Sequence, residues 1–165
     1  MIKIVIGSRS DYDVIRKAFD VGSYFFDDLK VIDVIVASAH RSPDRVKEVV
    51  ELAEKQGVKV FIACAGGASH LAGAIAARTI CPVIGVPMKT EMMGGLDSLL
   101  SIAQMPSGVP VSCSSVNGIE NAIILAVQIL AIQDEELKRR LLKYKELLVT
   151  KVCEQNERIR EAVEM

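Results

Sequence analysis

Five short apolar segments, Ile2–Ile6, Lys30–Ala37, Val58–Ala63, Pro82–Val86 and Val109–Ser112, recur along the chain, separated by longer stretches with helical periodicity. Near-continuous runs such as Ile2–Ile6 predict strands covered on both faces, as in a parallel sheet, rather than the alternation of a half-exposed antiparallel one. Between the second and third strands, Val46, Val49, Val50 and Ala53 place one apolar stripe on a helix over Asp44–Gln56. Ser42 suits its N-cap, Pro43 its first helical position and Gly57 the position just past its end. A helix after the first strand would turn Val14, Ala18 and Phe25 inward. Strands alternating with helices predict a doubly wound α/β fold with helices on both sheet faces.

Beyond the last strand the pattern changes. Ile119–Ile132 is a helix apolar on nearly every face, more than one sheet face can cover, so it calls for a partner. Glu135–Val163 is long and highly charged; Leu137, Leu141, Tyr144 and Leu148 follow a 4-3-4 rhythm that breaks at Lys151 and Gln155. That predicts a C-terminal helix packing on a neighbour rather than a sustained coiled coil. A helix folding back within one chain would cover the same faces. With 165 residues and no Pro/Gly/Ser-rich linker, the chain is expected to form one domain.

Composition narrows the function. A formal charge of -1 gives no basic field for nucleic acid or an anionic membrane, and four Phe, three Tyr and no Trp leave few rings for base stacking. The apolar run Ala122–Ile132, interrupted by Gln128, falls short of the ~20 residues that span a bilayer. Met1 leads directly into a strand without signal-peptide features, so a cytoplasmic location is expected. Cys64, Cys81, Cys113 and Cys153 have neither metal-knuckle nor disulfide-scaffold spacing and are expected to be buried reduced thiols.

In a parallel α/β sheet, ligands bind at the carboxyl ends of the strands. Gly7-Ser8-Arg9-Ser10-Asp11 after the first strand offers a sharp turn with hydroxyls for an anion, although Ser10 or Asp11 equally suits helix capping. Ser38-Ala39-His40-Arg41-Ser42-Pro43 after the second combines a hydroxyl, an imidazole and a guanidinium, able to hold a phosphate and move a proton. Ala65–Gly73 after the third is built of small residues that let backbone approach a ligand; it equally suits close packing. His40 and His70 fall on consecutive strand-end loops and are able to face one site, but without a carboxylate partner no metal is expected.

Together the motifs at 7–11, 38–43, 65–73 and 95–111 resemble class I N5-carboxyaminoimidazole ribonucleotide mutase, the purine-biosynthesis family also called the catalytic subunit of phosphoribosylaminoimidazole carboxylase. The resemblance covers nearly the whole chain. It implies a three-layer, flavodoxin-like doubly wound parallel sheet with an extended C-terminal helix, a homo-octamer and no cofactor. It also implies conversion of N5-carboxyaminoimidazole ribonucleotide to 4-carboxyaminoimidazole ribonucleotide. His40 matches the catalytic general acid/base. Ser8, Ser10, Ser38 and Arg41 would surround the substrate phosphate, and Asp11 the ribose hydroxyls. Ala65, Gly66, Ala68, Ser69, His70 and Leu71 would line the pocket for the aminoimidazole and the migrating carboxylate.

Ala72, Ser69 and Tyr12 depart from the family's common Pro, Ala and Trp, which bears on loop rigidity but removes no catalytic group. The resemblance also allows a transient contact with the enzyme that makes the carbamate. Two alternatives are a class II carboxylase acting on aminoimidazole ribonucleotide plus carbon dioxide and a non-catalytic nucleotide-binding module.

Overall fold

In a computed structural model, which describes residues 1–163, the strands β1 (Ile2–Ile6), β2 (Ile32–Val36), β3 (Val60–Ala65), β4 (Val83–Pro87) and β5 (Ser112–Cys113) form one parallel sheet. Their order, β2-β1-β3-β4-β5, is that of flavodoxin-like folds. The chain reverses its direction of travel across the sheet between β1 and β3, which opens a crevice at their carboxyl ends.

Alternate strand residues feed two cores. Ile2, Ile4 and Ile6 of β1 with Val60, Ile62 and Cys64 of β3 face one layer, made by α1 (Tyr12–Ile15), α2 (Lys17–Gly22), α6 (Ile119–Leu130) and the start of α7 (Glu135–Val163). Val5, Phe61, Ala63 and Ala65 face the other, made by α3 (Pro43–Lys55), α4 (Leu71–Ala76) and α5 (Leu96–Ala103). Lys3, the charged member of β1, is buried and pairs with Asp33, its register partner on β2.

Several boundaries differ from the sequence reading, each for a local reason. Asp28 accepts the Lys30 N–H at 2.9 Å and closes a 3-10 turn over Leu29–Val31, so β2 begins at Ile32 rather than Lys30. α3 ends in a Schellman motif around Gly57 at φ +80, in which Val58 N–H donates to Ala53 C=O at 3.0 Å. Val58 is therefore spent on the helix end, and β3 starts at Val60 and runs on to Ala65. β4 likewise sits one residue later than expected, and β5 shrinks to two residues because Pro110 has no N–H to donate.

The first helix is broken at Arg16; Phe25 lies beyond α2 yet is buried, Val14 is only half-buried, and Ile15 takes the inward position. Ser42 caps no amide of α3; its hydroxyl accepts from Ser38 N–H at 3.0 Å and donates to Ser38 C=O at 3.2 Å. Of the cysteines only Cys64 is fully buried; Cys81 and Cys113 are half-buried and Cys153 is exposed, all four as free thiols.

α7 packs back through Leu137, Leu141 and Tyr144, and then Leu147 rather than Leu148 faces inward. Tyr144 meets the rings of Tyr24 and Phe25 at 5.1 Å. Arg140 fixes the same junction by a two-pronged pair with Asp27 (3.0 and 2.9 Å) and a bond to Phe25 C=O at 3.2 Å. Beyond Leu147 every described residue of the helix is exposed. Among the described residues no helix is long and apolar enough to cross a membrane.

Arg139 first, then Arg140, hydrogen-bond Glu136 and lower its carboxyl from 4.5 to about 2. Its ion pairs therefore contribute stability above the unfolded value and lose it as pH falls toward about 2. Carboxyl NMR should show Glu136 titrating near 2 in the parent and moving up in Arg139→Ala. An ordinary glutamate titration in the parent would break this assignment.

Candidate active site

The carboxyl ends of β1, β2, β3 and β4 surround a cleft of about 430 Å³. At the β1 end, Ser8 caps the short turn Arg9–Asp11 reciprocally: its hydroxyl accepts from Ser10 N–H at 3.3 Å, and its own N–H donates to Asp11 Oδ2 at 3.2 Å. The capping and ligand-binding readings of this loop therefore apply to the same atoms. The Ser10 hydroxyl donates to Ser8 Oγ at 2.9 Å, which leaves a small polar nest open to the cleft. Burial raises the Asp11 carboxyl above its ordinary value, opposed by the bonds from Ser8 and Ser10 and by the Arg41 charge.

The β2 loop crosses toward β1. Arg41 Nη2 donates to Gly7 C=O at 3.0 Å, and Arg41 N–H donates to the Ser38 hydroxyl at 3.2 Å. One guanidinium thus ties the first loop to the second while lining the cleft. The β3 loop supplies the facing wall. The Ser69 hydroxyl is buried and donates to Ala65 C=O at 2.8 Å, so it closes its own loop rather than pointing at a ligand. Ala72 lies buried in the first turn of α4, which starts at Leu71 without the family's Pro.

His40 and His70 meet across the cleft. His40 Nε2 lies 2.7 Å from His70 Nδ1, with the rings edge-on at 74°. Such a bond requires one facing nitrogen to carry a proton and the other to be bare, so the pair is built to share one proton. Beneath the cleft, burial, and then the Asp11 charge, push the Cys64 thiol far up, which makes it an inert core residue. Among the described residues, no three His, Cys, Asp or Glu side chains come together as a metal site would require.

Every residue singled out for the site from the sequence, from Ser8 and Ser10 to His70 and Leu71, lines this one cleft. Gly7 and Ala39, members of the loops read from the sequence, line it too; Met88 and Lys89 also line it and were missed. The strand-end rule applied to β4 as well as β1 to β3 finds the last two. Lys89 is exposed, and among the described residues no carboxylate lies within 4.0 Å of its ammonium. Its N–H is held by Asn117 Oδ1 at 2.9 Å, and Asn117 takes up a left-handed φ of 57 to reach it.

The family profile described as AIR carboxylase matches residues 1–151. The chain belongs to this family. It is 45% identical over 158 residues to a Thermotoga maritima protein, covering 96% of this chain and 91% of that one. It is 44% identical over 162 residues to one from Bacillus subtilis (96% and 98%), and 44% identical over 156 residues to one from Escherichia coli (93% and 90%). Each relative bears the name N5-carboxyaminoimidazole ribonucleotide mutase. The crystal structure of Treponema denticola PurE superposes with a TM-score of 0.84 over 95% of this chain and 96% of that one, at 23% identity, and shows the shared fold.

Proposed function

We propose that this family member is an N5-carboxyaminoimidazole ribonucleotide mutase, an isomerase of de novo purine biosynthesis that moves a carboxyl group from nitrogen to C4 of the aminoimidazole. The reading is carried by the His40–His70 pair, 2.7 Å apart in a cleft with Arg41 and the Ser8–Ser10 nest, in a chain 45% identical to a protein of that name. The nest and Arg41 suit a phosphate, since a guanidinium offers a planar fork to its oxygens, and Asp11 suits ribose hydroxyls as an acceptor. The small residues of the β3 loop leave room beside the imidazoles for the aminoimidazole ring and its carboxylate.

The chemistry needs one proton moved and no cofactor. The carbamate N–C bond breaks with its electron pair left on nitrogen, which takes up a proton. C4 then attacks the released carbon dioxide, and the proton it carries must leave to restore aromaticity. His40 is assigned both transfers as general acid and then general base, with His70 able to hold the proton between them. In this reading the enzyme works in the cytoplasm and receives its labile substrate from the enzyme that makes the carbamate, through a transient contact.

The decisive experiment supplies purified protein with the carbamate or with aminoimidazole ribonucleotide plus bicarbonate. Conversion of the carbamate sustains the proposal; turnover of the second pair alone makes the protein a carboxylase, and turnover of neither leaves a binding module.

Assembly belongs to the same proposal. Ile132, in the turn after α6, and Val149, Val152, Ile159 and Val163, along the outer half of α7, are exposed, a surface that a neighbouring subunit would cover. We expect a homo-octamer, which light scattering would report as eight times the 17.9 kDa chain mass. A fully active single chain overturns it.

A further inference from the structure

α5 begins against the candidate site for a stereochemical reason. Its N-cap, Gly95, has φ +99, and a Cβ there would lie 3.3 Å from Lys89 Cα and 2.6 Å from the Val116 side chain. Only glycine lets the helix start so close to the chain leaving β4. That approach brings Ser98, three residues on and fully buried, between two walls of the cleft. Its hydroxyl donates to Met88 C=O at 2.8 Å and accepts from Gly67 N–H at 2.9 Å; the Asp97 carboxylate, at 3.5 Å, is the longer alternative acceptor. Thr90 donates to Asp97 at 2.8 Å and holds the same junction from the β4 side. Gly67 has φ +65 in the middle of the loop that ends at His70.

We infer that Ser98 is a positioning residue that latches the Ala65–Leu71 loop to the end of β4 and so keeps released carbon dioxide in the cleft until C4 recaptures it. The inference rests on the mutase reading. Between the two bond changes the migrating group is neutral carbon dioxide, which offers no charge for Arg41 or Lys89 to hold. Its retention then depends on the walls alone. Met88 N–H anchors the start of the small-residue wall at Ala65 C=O (2.9 Å), and the Ser69 and Ser101 hydroxyls bond the loop carbonyls of Ala65 and Gly67 (2.8 and 3.4 Å). Of the three hydroxyls, that of Ser98 is the one that satisfies a backbone group on each side of the seam. An alanine would fill nearly the same space but leave the Met88 carbonyl and the Gly67 amide unpaired.

The test follows the carboxyl carbon. Carbamate carrying heavy carbon is converted in buffer containing unlabelled bicarbonate. The parent is expected to deliver labelled product. In Ser98→Ala the unlabelled share should rise about fivefold or more, the population change that an unsatisfied buried group brings, with free aminoimidazole ribonucleotide appearing and KM little changed. Ser98→Thr, which keeps the hydroxyl, should restore retention. A merely structural role would lower the amount of active protein without altering this partition.

Label retention in Ser98→Ala equal to the parent's overturns the latch, as does a parent that itself exchanges its label while still making product. A parent that does not convert the carbamate overturns the mutase reading instead. Should the alanine variant fail to fold, amide exchange in the intact chain decides: Gly67 should be protected relative to neighbouring Ala68, and equal rates overturn the latch.

Discussion

His40→Asn protein should keep its affinity for the ribonucleotide and lose turnover by about 10²–10⁴-fold, the usual worth of a positioned general acid/base. Asn preserves polarity and fills the inner part of the imidazole's space, so the cleft largely keeps its shape, but its amide ends at the level of the ring's Nδ1, short of the Nε2 that meets His70. What it cannot do is gain and lose a proton near neutral pH. His70 alone then holds the only titratable imidazole, on the opposite loop. Binding measured by calorimetry with aminoimidazole ribonucleotide separates the two roles. Turnover within about tenfold of the parent would assign proton transfer elsewhere.

The sheet was legible because its signal is local and repeated: β1 and β3 bury every residue, and a run such as Ile2–Ile6 has few other uses. The errors fell at element ends, where one competing hydrogen bond decides. Val58 looks like strand but donates to Ala53, and Ser42 looks like a cap but turns back to Ser38. The site was legible for a different reason. A parallel sheet delivers its strand ends to one edge, so three loops distant in sequence had to converge, and the resemblance named roles within them.

Ser98 was out of reach of that logic. It acts across 31 residues on Gly67, from a helix whose own pattern is an ordinary apolar stripe, and its hydroxyl matters only for what it touches. Lys89 was hidden by weaker cause, since the loop after β4 carries no glycine-rich or histidine signature next to it. The pairing of His40 with His70 lay between these cases. Sequence placed both on neighbouring strand ends but could not give the rotamers that bring Nε2 and Nδ1 to 2.7 Å.

Arg41→Lys should raise KM about tenfold or more while changing kcat less, because hydrogen bonds to charged groups are worth about 1.5–3 kcal/mol each and the substitution removes a geometry rather than a charge. The guanidinium has two tasks at once. Nη2 holds Gly7 C=O at 3.0 Å and Nε reaches the Ser38 hydroxyl at 3.5 Å, while Nη1 is free to meet a phosphate oxygen beside Ser8. A lysine ammonium is a single point of charge and cannot hold the Gly7 loop and a phosphate in one planar fork. Long-range attraction survives, so association should keep its salt dependence while the bound complex loosens. Arg41→Met removes the charge too and should be worse than Lys. Inorganic phosphate, tested as a competitive inhibitor, should weaken in the same order, which ties the loss to the phosphate rather than to the imidazole end of the cleft. An unchanged KM in Arg41→Lys would remove this arginine from the phosphate site and leave it only the bond that joins the β1 and β2 loops.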